Sequence, residues 1–153
     1  MAQILSTMIN KITPFLWFDN RAAEAAEFYC SVFNNSKIIS SNPMVVTFEL
    51  EGQKFMALNG GPLFKFTEAV SFFVNCGTQE EVNYYWDALC EGGEESRCGW
   101  LKDKFGLSWQ IIPETLGRLM GDKDAAKAQR VVHAMLLMNR IDIAKLEEAY
   151  AEK

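Results

Sequence analysis

One histidine, His133, serves the whole chain of 153 residues, and its four cysteines (Cys30, Cys76, Cys90 and Cys98) include no Cys-x-x-Cys pair. That scarcity excludes zinc-ribbon spacing and imidazole-rich metal centres. It also leaves no sequence neighbourhood for a Ser-His-Asp or Cys-His nucleophile, because His133 stands among Val131, Val132 and Met135 with no partner nearby. Basic residues are outnumbered, 15 against 20 acidic for a net charge of −5, and no Lys/Arg stripe interrupts that balance. A nucleic-acid surface is therefore not expected. No apolar run approaches the ~20 residues of a membrane helix. Met1 to Asn10 has neither a basic start nor an Ala-x-Ala site, so the expectation is a cytoplasmic protein with reduced thiols and no disulfide framework.

What is present is core-forming material. The chain is 49% hydrophobic with 11 Phe and 4 Trp, enough for one packed domain or two small fused modules. Ile12 to Phe18 (ITPFLWF) reads as a strand, and Asp19-Asn20 as the cap of a helix from about Arg21 to Phe33. That helix places Ala22, Ala25, Tyr29, Val32 and Phe33 on one face. Lys37 to Ser41, Met44 to Leu50 and Lys54 to Leu58 read as strands separated by Asn42-Pro43 and Glu51-Gly52 turns.

The order then repeats. Ala69 to Asn75 is a strand, and Thr78-Gln79-Glu80-Glu81 is a capping box opening a helix with Val82, Tyr85, Trp86 and Leu89 inward. Gly92-Gly93 stops that helix. Short strands follow near Glu94 to Arg97, Trp100 to Asp103 and Leu107 to Ile112. A twofold β-α-β-β-β order predicts an α+β protein: paired modules whose mixed sheets face each other, with helices outside. The modules span about 12–60 and 69–113, with a helical appendage over 114–153. In the appendage, Asp124 to Met138 and Asp142 to Tyr150 read as helices. Their stripes need a cover, either the body of the protein or a second subunit, and a homodimer is expected.

The stretches ITPFLWFDNRAAEAAEFYCSVF, ALNGGP, AVSFFVNC and WDALCEGGEESRCGWLKDKFGLSWQIIP, with the tail AMLLMNRIDIAKLEEAY, run from about Ile12 to Tyr150. They resemble the glyoxalase/bleomycin-resistance/dioxygenase (vicinal oxygen chelate) superfamily. Within it they resemble the PhnB-like branch, also labelled demethylubiquinone methyltransferase, through Cys98-Gly99-Trp100-Leu101-Lys102-Asp103, Gly106 and Trp109-Gln110. The resemblance implies four chelate positions, one on the first and one on the last strand of each module. They fall near Ile12, at Phe55 to Ala57, near Ser71 and at Gln110, and none carries an acid or an imidazole. No metal is therefore expected. The methyltransferase label implies a methyl donor, but no Gly-x-Gly-x-Gly turn is present to hold one, and no cofactor is expected.

Gln110 stands on the strand face shared by Ser108 and Ile112, where its amide offers two donors and an acceptor beside the Ser71 hydroxyl. The candidate ligand-binding set is Gln110, Ser71, Ile12, Leu16, Phe73 and Trp100, the last for stacking. Gln110 and Ser71 could equally satisfy each other within the core. Cys98 is read as buried and inert. Lys102-Asp103 is read as hairpin structure ahead of an acid-binding role. Two functions follow: capture of a small apolar or aromatic molecule between the sheets without metal, or catalysis on a small metabolite with atypical ligands or none.

Overall fold

The computed structural model describes residues 11–152; the expectation for Met1 to Asn10 lies outside the described residues. The chain divides after Lys65 into two units, and each has the β-α-β-β-β order. The first contains β1 (Phe15–Phe18), α1 (Ala22–Val32), β2 (Ser36–Ser41), β3 (Val45–Leu50) and β4 (Gln53–Asn59). Its sheet runs β1-β4-β3-β2, with β1 parallel to β4 and the other pairs antiparallel.

Strand alternation sorts this sheet into two faces. Leu16 pairs with Ala57, Val46 with Ala57, and Phe48 with Phe55, so these side chains share a face. Tyr29 of α1 stacks on Phe48 at 6.1 Å, and Phe48 on Phe55 at 5.4 Å, which identifies that face as the one under the helix. Ala22, Ala25 and Ala26 are fully buried and let the helix lie close. The expected cap at Asp19-Asn20 is not used. Asn20 adopts φ 57, and the first helical N–H, Ala22, donates to Asn59 Oδ1 at 2.8 Å. Asn59 thus ties the end of β4 to the start of α1. The strand expected from Ile12 begins only at Phe15. Pro14 has no N–H to give the ladder, although its carbonyl still accepts from Met56 N–H at 3.0 Å.

The second unit contains β5 (Ser71–Cys76), α2 (Gln79–Cys90), β6 (Glu94–Glu95), β7 (Trp100–Lys102) and β8 (Ser108–Pro113). These are followed by α3 (Glu114–Met120), α4 (Ala125–Met135) and α5 (Ile143–Ala151). Its sheet runs β5-β8-β7-β6, again with the first strand parallel to the last. Thr78 Oγ1 accepts from Glu81 N–H at 3.1 Å. The return bond of the box goes from Gly77 N–H to Glu81 Oε1 at 2.6 Å, one residue earlier than the reciprocal pattern expects. Val82, Tyr85, Trp86 and Leu89 are buried as read.

The helix α3 was not anticipated as an element of its own; it starts directly after Pro113, without a side-chain cap. With α4 and α5 it closes a core of Leu116, Leu119, Val131, Ile141 and Leu146 around Ile112 of β8. Met135, Met138 and Tyr150 pack on the same cluster, so the helices find a cover within their own module, but on α4 the buried residue is Val131, and Leu136, read as part of the stripe with Val132 and Met135, is 51% exposed. Full burial of residues such as Val131 and Leu146 contributes roughly 1.5–3 kcal/mol each. Two backbone bonds attach the connecting loop to the sheet, Cys98 N–H to Met138 O and Gly99 N–H to Asn139 O, both 2.8 Å. Gln79 adds two more, donating to the Ile141 carbonyl at 3.0 Å and accepting from Ile143 N–H at 2.8 Å. Among the described residues no helix is long and apolar enough to cross a membrane.

Gly99 sits where loop and sheet meet. Its φ is 85, and a Cβ there would lie 2.6 Å from Ile112 Cδ1 and 3.0 Å from the Ile111 carbonyl. Gly106 has a similar φ of 87 with nothing within 4 Å of the same position. Gly99→Ala should cost about 3 kcal/mol or more, combining backbone strain with overpacking, and Gly106→Ala about 1–2 kcal/mol from backbone strain alone. Urea melts check the ranking; equal losses would show that the Gly99 contact is slack.

Candidate functional site

Register in the second sheet defines a face turned away from α2. Phe73 pairs with Gln110 and Gln110 with Trp100, which makes one row across β5, β8 and β7. Ser71 pairs with Ser108, Ser108 with Lys102, and Lys102 with Glu94, which makes the next row. The intervening residues Phe72, Trp109 and Leu101 point the other way, toward α2. The C-terminal helices cover this open face only at its Ile112 end. Phe73 is 58% exposed there, and Gln110 and Trp100 are half-buried.

Two polar contacts and one unpartnered hydroxyl furnish the face. Gln110 Nε2 donates to Ser71 Oγ at 3.0 Å, reaching diagonally between the rows. Its carbonyl and second N–H are left for other partners. Lys102 Nζ lies 2.6 Å from Glu68 Oε1, an exposed pair that lowers the Glu68 carboxyl and raises the Lys102 ammonium from their ordinary values through the hydrogen bond between them. Ser108 is fully buried, and its hydroxyl has no hydrogen-bond partner among the described residues. Trp100, Lys102, Ser108, Glu68 and Glu94 line a cleft of about 170 Å³ at this edge of the sheet.

The turn between β7 and β8 is held by Asp103, which is 2% exposed. Its Oδ1 accepts from Phe105 N–H at 2.8 Å and Leu107 N–H at 3.1 Å, and its Oδ2 from the Trp109 indole N–H at 2.9 Å. A buried carboxylate with three donors is well satisfied. Asp103 is therefore a structural residue, and Trp109 is fixed toward the α2 face. Since neighbours alternate, Gln110 is fixed toward the open face.

Three of the thiols are raised by burial. Burial pushes Cys76 up to about 12, with the Glu81 charge adding to it, and Cys90 up to about 11, with Glu95 adding. Burial raises Cys30 as well. These groups stay protonated at neutral pH and are poor nucleophiles. Cys98 is half-buried with its backbone tied to Met138, and His133 is exposed on α4 beside Gln129. Among the described residues no three His, Cys, Asp or Glu side chains converge as a metal site.

The model of the 3-demethylubiquinone-9 3-methyltransferase family matches residues 10–112. The PhnB protein of Bacillus cereus, which bears the same methyltransferase name, is 35% identical, with 68% of this chain and 99% of that chain covered and a TM-score of 0.63. The chain belongs to this PhnB-like family. A Pseudomonas aeruginosa protein shares the fold at 20% identity, with 69% and 98% covered and a TM-score of 0.57. So does the fosfomycin resistance protein FosX of Listeria monocytogenes, solved with Mn(II) and sulfate, at 15% identity, with 65% and 86% covered and a TM-score of 0.50. These neighbours fit the vicinal oxygen chelate superfamily. Comparison with curated proteins found no match.

The residues of this PhnB-like chain do not fit a chelated metal. Of the implied positions, Ile12 is 85% exposed and precedes β1, and Phe55 and Ala57 are buried under α1. Ser71 and Gln110 are neutral and bonded to each other. A hard divalent ion gains little from such a set. Nor do the residues fit a bound methyl donor. In the β1–α1 and β5–α2 turns the chain's own side chains take amides at the helix start, Asn59 that of Ala22 and the capping box those of Gly77 and Glu81.

The sequence-derived ligand set divides accordingly. Ser71, Phe73, Trp100 and Gln110 come together on the open face of the second sheet. Leu16 does not line an open face of its own sheet: its parity with Ala57 turns it into the core under α1, where it is 7% exposed. Ile12 lies outside any strand. Sequence reasoning put Ser108 on this face but left it out of the ligand set, and it missed Glu68 and Glu94. The signal for Ser108 was available, since it precedes Gln110 by two residues and so shares its face.

The PhnB-like signature thus has a structural half and an open-face half, and stability separates them. Asp103→Ala orphans three donors and should cost about 3 kcal/mol, whereas Gln110→Ala loses one half-buried hydrogen bond and should cost about 1 kcal/mol or less. Chemical denaturation checks this. A larger loss for Gln110→Ala would make the amide a core strut.

Proposed function

We propose that this PhnB-like protein is a metal-free receptor for a small, flat, apolar or aromatic molecule bound on the open face of its second sheet. The observation that carries the reading is the half-exposed Trp100–Gln110–Phe73 row, two aromatic rings flanking an amide that still has a free acceptor and donor. Apolar walls with a few placed polar groups describe a ligand site. The rings supply contact area at low entropic cost, and the Gln110 amide orients a polar edge of the guest. Catalysis finds less support, because no activated nucleophile or paired base faces this row among the described residues.

Titration with 2-naphthol, followed by NMR of the indole N–H signals, tests the reading. Saturable shifts of the Trp100 indole are expected. Followed through the Gln110 side-chain amide, binding should weaken about tenfold in Trp100→Ala and recover in Trp100→Phe; followed through the Trp100 indole, it should weaken severalfold in Gln110→Ala. Binding unaffected by these substitutions, or none by any aromatic probe, would overturn it.

A further inference from the structure

The polar row beside that platform has its own chemistry. Glu94, Lys102 and Ser108 are register partners on one face, and Glu68 reaches the same cleft from the segment before β5. Glu95 also borders it, but its carboxylate accepts from the Trp86 indole N–H at 2.7 Å. Among the described lining residues Lys102 is the only cation, and Glu68 already holds it at 2.6 Å. The cleft is acidic around an ammonium that the chain supplies itself. Among the residues lining it is Ser108, whose Oγ is fully buried and has no partner among the described residues, a donor and acceptor left open to a guest.

We infer that this cleft receives the ammonium end of an aryl-alkylamine, with Lys102 as the internal cation that the guest displaces from Glu68. The inference rests on the receptor reading above and names the class of molecule. The aromatic body lies on the Trp100–Phe73 row, the charge sits between Glu68 and Glu94 beside the Trp100 ring, and the displaced Lys102 stem uncovers Ser108 for a guest N–H or O–H. Displacement is cheap because an exposed ion pair contributes little and both its side chains are flexible. A charge beside an indole gains further from its π face. The cleft, about 170 Å³, is below the roughly 300–1,000 Å³ of drug-sized sites, which suits a compact head group and not a large polar one.

Three probes with the same phenethyl body decide it: phenethylamine, 2-phenylethanol and 3-phenylpropionate, titrated at low ionic strength against the Trp100 indole and Ser108 amide signals. Phenethylamine should bind about fivefold tighter than the alcohol, and the acid weakest, which is what one or two exposed carboxylates can supply. Added salt should erode the difference. Lys102→Met should tighten phenethylamine severalfold by freeing Glu68, while Glu94→Gln should weaken it severalfold; both positions are on the surface, so folding is not at stake. Weaker amine binding in Lys102→Met, or tighter binding of the acid than of the amine, overturns the inference. Equal binding of amine and alcohol also overturns it while leaving the aromatic platform intact. Failure of all three probes removes the platform with it.

Discussion

A single buried carboxylate sets the geometry of the second module. Asp103 accepts the N–H groups of Phe105 and Leu107 and the indole of Trp109, closing the β7–β8 turn on itself and pinning the first long side chain of β8. Strand register has a period of two, so a slip by one residue would send every open-face side chain into the core and every core side chain out. With Trp109 tied toward α2, Gln110 must face the other way, opposite Trp100 on one side and Phe73 on the other. The family signature around Lys102-Asp103, Gly106 and Trp109-Gln110 is therefore a local folding instruction whose outcome is the placement of one amide.

The two faces of that sheet divide labour. Under α2 the side chains are large, apolar and closed to solvent: Trp86, Leu89, Leu101 and Ile111 are all at most 1% exposed. On the opposite face the rows are half-exposed and polar or aromatic, and they end at Ile112, where the C-terminal helices take over. The helices are thus part of the framework of the second module. The loop between α4 and α5 is tied by backbone bonds to Cys98 and Gly99 and by Gln79 to the start of α2. These bonds fix one end of the open face and leave Ser71, Lys102 and Glu94 at its other end outside the helical cover.

Much of this was legible in the sequence because it depends on local physics. Alternation revealed β8 and the sharing of a face by Ser108 and Gln110, helical spacing revealed the buried stripe of α2, and Thr78 announced its start. What stayed hidden depends on partners distant in the chain. Asn59 caps α1 from the end of β4, 37 residues away, and no local pattern shows that. Leu16 stood in the expected ligand set, but its pairing with Ala57 sends it under α1. The helix α3 was obscured by Pro113, which reads as a stop and here precedes the first turn. The Glu68–Lys102 pair joins residues 34 apart, with neither one marked by its sequence context.

Within a fold shared with a Mn(II)-bound neighbour, the second module carries a neutral hydroxyl–amide pair, Ser71 and Gln110, at the chelate positions implied for its first and last strands. The decisive measurement is elemental mass spectrometry of the untagged protein after exposure to Mn, Fe, Co, Ni and Zn and desalting. A receptor that works without metal retains none beyond trace amounts, in wild type and Gln110→Ala alike. Near-stoichiometric metal in the wild type that disappears in Gln110→Ala would contradict it and make the site a chelate centre.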